Sequence, residues 1–496
     1  MDLKRLLTEN EFVFLDGGMG TMLQAAGLEA GENPDLLSLT DPELIESIHL
    51  KYIEAGSDIF YCNTFGANRL KLAKTGKTPA EVISAAVKIA NSAKTKASRT
   101  AYCALDVGPI GQLLEPNGTM LFDEAYDIFK EMILAAEGAD IIVIETMTDL
   151  LEAKAALLAA KENSDLPVMV TMTFEQNMRT FTGCCIESMA MTLSGLGADA
   201  IGINCSLGPR ELKPAVDKLC SCTGLPVIIK PNAGLPDPLT NEYNVLPEEF
   251  GQLLADMIPL GIKIAGGCCG TTPDYIRAAR KAFEGKKYQP REFTPVSAVC
   301  TASNAVIIDC PRIIGERINP TGKKRFKQAL QEHDLDYICN QAIEQIDAGA
   351  EILDVNVGLP GIDEKEMMLS AVRAVQGICD TPLQLDSSIP EVLDAALRVY
   401  NGKPIINSVN GEEKSLSSIL PLVKKYGAAV VGLCLDEDGI PKTIEGRVAI
   451  AEKICKRADA LGIPRSDICI DCLTLTCSAE QEAAMQTIEA LRICKE

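Results

Sequence analysis

Three cysteines are the residues whose type and spacing point most directly to chemistry. Cys205 ends the apolar run ADAIGINCS, and Cys268 and Cys269 are adjacent in the glycine-flanked segment GGCCGTTP. Three thiolates that leave a fourth position open are typical of a catalytic zinc site, and the open position suits a thiol substrate whose proton the metal removes. Free cysteines are also common as small buried residues. Spacing alone leaves both interpretations open.

The elements that must bring these cysteines together are strands followed by helices. Eight short apolar runs in residues 1–285 end in a polar or glycine-bearing turn and lead into a helical stretch. This pattern favours an α/β fold with a (β/α)8 TIM-type barrel over an open doubly wound sheet. Right-handed crossovers then place all eight strand ends on one face. The residues at these ends are Asp16, Asn63, Asp106, Glu145, Thr173, Cys205, Asn232 and Cys268.

The second half repeats this rhythm after a break. Residues 286–311 contain prolines and no helical period, and we interpret them as a linker between a barrel at 1–285 and a second module at 312–496. Six strand-helix units follow the break, so we expect a tandem TIM-type barrel that is C-terminally incomplete, truncated after six strands with unpaired edges. The alternative for this half is an open α/β sheet.

Bulk composition narrows the class of partner. The net charge is −22 and tryptophan is absent, which disfavours nucleic acid because binding there rests on cationic and aromatic side chains. No apolar run reaches the roughly 18 residues of a membrane span, and the N-terminus lacks the features of a secretory signal. We therefore expect a cytoplasmic protein with no membrane partner and with reduced thiols.

Four motifs in the first half carry a family resemblance. DGGMGTMLQ at Asp16, NTFGANRLKL at Asn63, GINCSLGP at Gly202 and GGCCGTTPDYIR at Gly266 resemble the homocysteine S-methyltransferase family over residues 1–285. The resemblance implies a methyltransferase in which Zn2+ is bound by three cysteines and activates the homocysteine thiol. Those metal ligands and catalytic residues are Cys205, Cys268 and Cys269.

The resemblance also implies a site for the amino-acid part of homocysteine. Asp16 and Glu145 are expected to pair with the ammonium group, and Thr64 to add a hydroxyl contact. The turn at Gly17 and Gly18 leads into a helix, where free N–H groups suit the carboxylate. The alternative interpretation is that these glycines only form a tight turn between a strand and a helix.

Five motifs in the second half resemble the pterin-binding, methyltetrahydrofolate-using barrel of cobalamin-dependent methionine synthases and corrinoid methyltransferases. They are IGERINPTG, LDVNVG, LQLDSS, INSVNG and IDCL. Carboxylates and amides can match the donors and acceptors of a pterin edge, although strand-end Asp and Asn also form turns. The residues expected to contact the pterin are Asn319, Asp354, Asn356, Asp386, Asn407 and Asp471. Asn407 is also expected to be catalytic, because it is placed to assist N5 of the pterin as the leaving group when the methyl group is transferred.

The two resemblances together predict one reaction sequence. Homocysteine becomes methionine with methylcobalamin as the immediate methyl donor and 5-methyltetrahydrofolate as the ultimate donor. Cobalamin is expected on a domain outside this sequence or on a separate corrinoid protein. The alternatives are a homocysteine methyltransferase that uses betaine or S-methylmethionine, and a non-catalytic protein that binds zinc or folate.

Overall fold

The computed structural model describes residues 3–29, 31–236, 243–474 and 481–495. Its internal contacts divide the chain into two units, Met1–Thr294 and Pro295–Glu496. Each unit is a layer of parallel strands surrounded by helices, which confirms the predicted α/β class. Among the described residues, no helix has both the length and the apolar character needed to cross a membrane.

The first unit contains the predicted eight-stranded parallel barrel. The strands pair in the order β1-β8-β7-β6-β5-β4-β3-β2, and each of the eight predicted end residues lies within three residues of the carboxyl end of its strand. The strands are β1 (Val13–Phe14), β2 (Ile59–Tyr61), β3 (Tyr102–Val107), β4 (Ile141–Met147), β5 (Val168–Met172), β6 (Ala200–Asn204), β7 (Val227–Lys230) and β8 (Ile262–Ala265).

Carboxylates bridge the gap between β1 and β2, the two ends of this ladder. Asp58 donates its N–H to the Phe14 carbonyl at 2.7 Å, and its Oδ2 accepts from the Phe14 N–H at 2.8 Å. Nearer the carboxyl ends, Asp16 Oδ2 accepts from the Tyr61 N–H at 2.8 Å. These bonds satisfy backbone groups that a regular ladder would have paired. Asp16 therefore has a structural role in closing the barrel.

Helices on the outside of this barrel begin with clear sequence signals. Thr78 and Glu81 form a reciprocal capping box at the start of α6, and proline occupies an early position of several others. The helices are α1 (Leu3–Glu9), α2 (Met19–Ala25), α3 (Leu37–Thr40), α4 (Pro42–Ala55), α5 (Arg69–Leu72), α6 (Pro79–Lys96), α7 (Phe122–Leu134), α8 (Leu150–Asn163), α9 (Ile186–Gly195), α10 (Pro209–Cys222), α11 (Pro247–Ala255) and α12 (Pro273–Phe283), with 3-10 turns at Pro34–Leu36 and Ile258–Leu260.

The amino-terminal end of the first barrel is filled by apolar side chains. Leu3 of α1 packs with residues near the starts of the strands, among them Val13, Ile59 and Ile141. This packing leaves the opposite end, where the strands finish, as the open face of the barrel. The predicted functional residues all follow the strands onto that face.

The second unit contains the six predicted parallel strands, in the order β11-β12-β13-β15-β16-β17. Within the described residues, β11 and β17 form the two edges of this sheet. The strands are β11 (Ile314–Ile318), β12 (Ile352–Asn356), β13 (Leu383–Asp386), β15 (Ile405–Asn410), β16 (Ala429–Leu433) and β17 (Ile468–Asp471).

Part of the stretch interpreted as a linker is folded. Strands β9 (Ala298–Thr301) and β10 (Ala305–Ile307) form an antiparallel hairpin, and β9 also pairs with the short strand β14 (Gly402–Lys403). Val299 packs on Ile352, Ile405 and Ala429 at the strand starts. The boundary between the two units at Thr294 accordingly lies inside 286–311, because the hairpin packs on the core of the second unit.

Helices of the second unit follow the strands as predicted. They are α13 (Lys324–Gln331), α14 (Leu335–Asp347), α15 (Glu364–Ile378), α16 (Pro390–Val399), α17 (Glu413–Tyr426), α18 (Ile444–Ala460) and α19 (Gln481–Lys495), with a 3-10 turn at Arg465–Asp467.

Candidate active sites

The three predicted cysteines converge at the open face of the first barrel. Their sulfurs all lie within 4.8 Å of one another, and Cys205 Sγ is 3.9 Å from Cys269 Sγ. Zinc–sulfur bonds of about 2.3 Å in a tetrahedron place sulfurs about 3.8 Å apart, so the spacing fits one zinc ion. Among the described residues, this is the one group of three or more His, Cys, Asp or Glu side chains with such spacing.

Backbone geometry at the strand ends turns the thiols toward one another. Cys205 and Ser206 have φ of 61° and 58°, in the left-handed region that non-glycine residues rarely adopt. On the other side, the Cys268 N–H donates to the Pro231 carbonyl at 2.8 Å, and the Cys269 N–H donates to Asn232 Oδ1 at 3.2 Å. The end of β7 thus holds the double-cysteine turn in place.

Asn204, the last residue of β6, links the end of β4 to the cysteine cluster. Its side chain is fully buried, donates from Nδ2 to Thr146 Oγ1 at 2.8 Å, and accepts the Thr146 N–H at 3.0 Å. Nδ2 also lies 4.0 Å from Cys268 Sγ. Groups in this position orient metal ligands and tune their basicity.

The three thiols differ in pKa. Hydrogen bonds from the Cys205 and Cys268 thiols lower the pKa of Cys269 to about 3. The pKa of Cys205 rises, because its thiol donates to Cys268 and Cys269. Metal binding to such a cluster displaces the thiol protons, and a lowered thiol pKa favours that exchange.

A cavity of about 350 Å3 lies next to these sulfurs. The predicted glycine turn forms one wall of it, and a Cβ at Gly18 would lie 2.9 Å from the Cys268 carbonyl oxygen. Glycine is therefore required for the turn after β1 to approach the cysteine turn. The Gly18 N–H is used within the fold, since it donates to the carbonyl and hydroxyl oxygens of Thr271 at 3.3 and 3.2 Å.

Lys230 is a buried cation in this cavity that the sequence did not lead us to expect. Its Nζ lies 3.2 Å from Glu145 Oε2, 3.6 Å from Asp16 Oδ1 and 3.9 Å from the Tyr61 ring centroid. The predicted partner of Asp16 and Glu145 was the substrate ammonium. In this structure both carboxylates face Lys230, and their contact with a substrate ammonium group stays a prediction. Burial raises the pKa of Asp16 to about 6 even though Lys230 opposes the shift.

Thr64, whose predicted contact with homocysteine stays a prediction, lines the same cavity. Its hydroxyl donates to the Asp106 carbonyl at 2.8 Å and accepts the Asp106 N–H at 3.1 Å. With its donor hydrogen used in this way, the hydroxyl fastens the turn after β2 to β3. The side chain of Asp106 points into the same cavity as Lys230, and its pKa is raised by burial and by Glu145.

The second unit brings four of its six predicted residues together. Asn356, Asp386 and Asn407 are aligned across β12, β13 and β15. Asn356 Nδ2 donates to Asp386 Oδ2 at 2.9 Å, and Asn407 Nδ2 lies 3.4 Å from Asp354 Oδ1. Burial raises the pKa of Asp354 to about 6 and also raises that of Asp386. Asn356 lines a cavity of about 730 Å3 together with Thr321, Ser387 and neighbouring loop residues.

The other two predicted residues make local bonds. Asn319 is buried after β11, and its Oδ1 accepts the N–H of Thr321 at 2.9 Å. Asp471 is exposed at the end of β17, and its Oδ1 accepts the N–H of Leu473 at 2.8 Å. Both contacts are of the turn-forming kind that strand-end Asn and Asp commonly make.

Two known families match the chain, one in each unit. Residues 13–283 match the family described as homocysteine S-methyltransferase. The chain belongs to the homocysteine S-methyltransferase family. Residues 315–496 match the family described as pterin binding enzyme. Each match coincides with one of the two compact units.

Longer relatives contain both parts. The chain is 34% identical to the methionine synthase of Mycobacterium tuberculosis (strain ATCC 25618 / H37Rv), over 100% of this chain and 44% of that protein. It is 33% identical to the methionine synthase of Mycobacterium leprae (strain TN), over 97% of this chain and 43% of that protein. The chain thus spans less than half the length of these relatives.

A similar solved structure is the oxidized form of the homocysteine methyltransferase MmuM from Escherichia coli. The sequence identity is 24% and the TM-score is 0.49, with 56% of this chain and 98% of that chain covered.

Three buried residues near the two sites were missed by sequence reasoning. Lys230 ends the apolar run VIIK, where a lysine is usually expected to reach solvent, and Asn204 precedes a more conspicuous cysteine. Gln384 lies in LQLD, and its Nε2 donates to Asp354 Oδ1 at 2.6 Å. These residues could have been recognised as polar positions at the end or in the middle of a buried parallel strand, because such strands are otherwise almost wholly apolar.

Proposed function

We propose that this chain transfers a methyl group to homocysteine to give methionine, with methylcobalamin as the immediate donor and 5-methyltetrahydrofolate as the ultimate donor. The observation that carries the proposal is the group of three thiols, Cys205, Cys268 and Cys269, at the edge of a cavity on the open face of the barrel. The family membership of residues 13–283 supports the homocysteine part, and the pterin-binding match supports the folate part.

Zinc is the proposed metal because three sulfur ligands with an open fourth position suit it. When bound, it supplies a Lewis acid that holds the homocysteine sulfur as a thiolate. The chain's own contribution is to fix the three sulfurs. Asn232 anchors the Cys269 amide, and Asn204 lies behind Cys268.

The rest of the first site positions and shields the substrate. Gly17 and Gly18 bring backbone without side chains to the cavity wall, which leaves room for the carboxylate end of homocysteine. Asp16 and Glu145 are the proposed contacts for the ammonium group of homocysteine, and Lys230 lies close enough to both carboxylates to offset part of their negative charge. Burial of all three side chains keeps water away from the thiol-binding face.

In the second unit, Asp354, Asn356, Asp386 and Asn407 are the proposed contacts for the pterin. Two carboxylates and two amides at the ends of neighbouring strands present the mixture of acceptors and donors that a pterin edge requires. Asn407 is the proposed residue that assists N5 as a leaving group by hydrogen bonding. Asn319 and Asp471 remain predicted contacts, each with one carboxamide or carboxylate oxygen already used in a local turn.

Methylcobalamin enters this proposal as a substrate supplied by a cobalamin-binding domain or a corrinoid protein. Joining a thiol site and a folate site in one chain raises the effective concentration at which a shared methyl carrier meets both. A cytoplasmic location is part of the same proposal, because the pathway uses reduced thiols.

The test is a comparison of methyl donors. The zinc-loaded full chain is incubated with L-homocysteine and either methylcobalamin, betaine or S-methylmethionine, and methionine is measured. We expect methionine from methylcobalamin alone. Methionine from betaine or S-methylmethionine would favour the alternative methyltransferase, and zinc binding without methionine from any donor would indicate a binding protein.

A further inference from the structure

Gln384 is a polar residue in the interior of a buried parallel strand of the second unit. It lies on β13, opposite Asp354 of β12 and Ile405 of β15 in the strand register. Gln384 is 6% exposed, and its neighbours Leu383 and Leu385 are fully buried. Strands buried in this way are normally almost wholly apolar. The presence of an amide at this position therefore calls for an explanation.

One end of the Gln384 amide is hydrogen-bonded and the other is not. Nε2 donates to Asp354 Oδ1 at 2.6 Å, whereas Oε1 is buried without a hydrogen-bond partner in the described part of the chain. A buried acceptor without a donor costs free energy that an apolar side chain would avoid. The other such atom described in the second unit, Oδ1 of Asn401, lies before the start of β15, whereas Gln384 borders the predicted pterin contacts. This placement points to a function for the Gln384 donor.

Asp354 receives this donor in surroundings that otherwise oppose its charge. The side chain is 1% exposed, and the charged groups that face it are the carboxylates of Asp386 on β13 and Glu316 on β11. Burial raises the pKa of Asp354 to about 6, and both carboxylates raise it further, whereas the amides of Gln384 and Asn407 lower it. The short bond from Gln384 is thus one of two contacts that favour the ionised form of Asp354.

The protonation state of Asp354 decides how the carboxamide of Asn407 is held. Asn407 Nδ2 lies 3.4 Å from Asp354 Oδ1. An ionised carboxylate only accepts hydrogen bonds, so it can hold Asn407 only by the Nδ2 end. A protonated carboxyl group can donate to Oδ1 of Asn407, which would let the carboxamide turn over. Because Asn407 is the proposed residue that assists N5 as a leaving group, its orientation bears on methyl transfer.

We propose that Gln384 is a positioning residue for methyl transfer from the folate: its amide keeps Asp354 ionised, and ionised Asp354 fixes the orientation of Asn407. This inference rests on the proposed function and adds to it a residue that the sequence did not indicate. Gln384 acts through Asp354 and not on the folate itself.

The test measures kcat for methyl transfer from methyltetrahydrofolate to free cob(I)alamin, catalysed by the full chain, from pH 5 to pH 8. Gln384→Met removes both the donor and the unpartnered oxygen, and Gln384→Glu keeps the size of the side chain but replaces the donor by a carboxylate. The matched control is Gln376→Met, at a half-buried glutamine of α15 that is bonded to the backbone of Asn401. Circular dichroism checks the fold of each variant.

We expect kcat of the unmodified chain to fall on the acid side with a midpoint near the pKa of Asp354, about 6. Gln384→Met should raise this midpoint by about one pH unit, because it removes a hydrogen bond to a charged group. Gln384→Glu should raise it at least as far, since a neighbouring like charge disfavours ionisation. At pH 8 the kcat of Gln384→Met should return to within about threefold of the unmodified chain, because Asp354 ionises there without the amide. Gln376→Met should follow the unmodified chain at every pH.

Two results would overturn the role of Gln384. One is an acid midpoint that stays in place in the folded variants, and the other is a rate that falls by the same factor at every pH, as loss of a purely structural residue would cause. If Gln384→Met does not fold, the profile of Gln384→Glu decides. An unmodified chain that transfers no methyl group from methyltetrahydrofolate would refute the proposed function and this inference with it. Transfer with the same pH profile in all variants would refute the inference alone.

Discussion

The two units build their sites from differently placed strands. In the first, the groups around the thiol cavity come from the ends of β1, β2, β3, β4, β6, β7 and β8, so they meet only when the barrel is nearly closed. In the second, Asp354, Asn356, Asp386 and Asn407 lie on β12, β13 and β15, which are direct neighbours. The first site therefore depends on closure of the whole unit, and the second on the register of three strands.

The two sites also differ in the partners of their buried carboxylates. Lys230 faces two carboxylates in the first unit. In the second, Asp354 accepts hydrogen bonds from the side-chain amides of Gln384 and Asn407, and Asp386 accepts one from Asn356. An internal cation suits the first cavity in its proposed role of receiving a charged amino acid. Amide partners suit a neutral ring with alternating donors and acceptors.

The largest effect is expected at the metal. Cys268→Ser should reduce zinc affinity by more than about 100-fold, because even residues behind metal ligands are worth about 10- to 100-fold. Methionine formation should fall with it, while folate binding by the second unit should remain. Metal analysis, a methionine assay and folate binding on the same sample check this. The matched control is Cys220→Ser, a change at a buried cysteine in α10, and retention of zinc by Cys268→Ser would contradict the assignment.

Removal of the internal cation comes next. Lys230→Met should destabilise the chain by about 3 to 5 kcal/mol at neutral pH, because it leaves buried carboxylates uncompensated. Lys161→Met, at a half-exposed pair with Asp199, should cost less than about 1 kcal/mol. Urea unfolding measures both.

The loss at Lys230 should also depend on pH. The pKa of Asp16 is raised in the folded chain, to about 6, so its contribution to stability is fully present below its unfolded pKa and is lost as pH rises through the folded value. Without Lys230 the folded pKa should rise further. The difference in free energy of unfolding between Lys230→Met and the unmodified chain should therefore grow from pH 5 to pH 8. A difference that stays constant over this range would contradict the pairing of Asp16 with Lys230.

In the second unit, Asp386→Ala should weaken methyltetrahydrofolate binding by roughly 5- to 100-fold, since a buried donor loses its partner. Asp380→Ala, an exposed aspartate just before β13, serves as the control. Homocysteine methylation from supplied methylcobalamin should be unchanged in both variants. Equal loss of both half-reactions in a folded Asp386→Ala variant would show that the two sites are not separate.

The smallest effect is expected at Thr64. Thr64→Val removes the hydroxyl between β2 and β3 and should cost about 1 kcal/mol of stability. The affinity for homocysteine should change less than about twofold, because the hydroxyl is already bonded to Asp106. A selective loss of homocysteine binding would support the contact predicted from the sequence.

The strands and their functional ends were predictable because strand-helix alternation is a local signal. All fourteen predicted runs form parallel strands, including those ending at Asp16, Cys205 and Asp386. The hairpin of β9 and β10 was not predicted, because its strands are short and its third partner, β14, lies about a hundred residues away. Pairing of that kind leaves no local pattern in the sequence.

Within the sites, residue types were easier to predict than their partners. The convergence of the three cysteines follows from barrel topology alone. The proximity of Lys230 to Asp16 and Glu145 does not follow from topology alone. The carboxylates that accompany the buried lysine lie 85 and more residues away in the chain. The same is true of the hydroxyl of Thr64, whose bonds depend on how the turn after β2 meets β3.

X-ray absorption at the zinc edge tests the central claim most directly. The zinc-loaded full chain is measured before and after addition of L-homocysteine. The three-cysteine site predicts three sulfur neighbours at about 2.3 Å, rising to four when homocysteine binds. Fewer than three sulfur neighbours before addition, or an unchanged number with homocysteine bound, would contradict the assignment of Cys205, Cys268 and Cys269 as a thiol-activating zinc site.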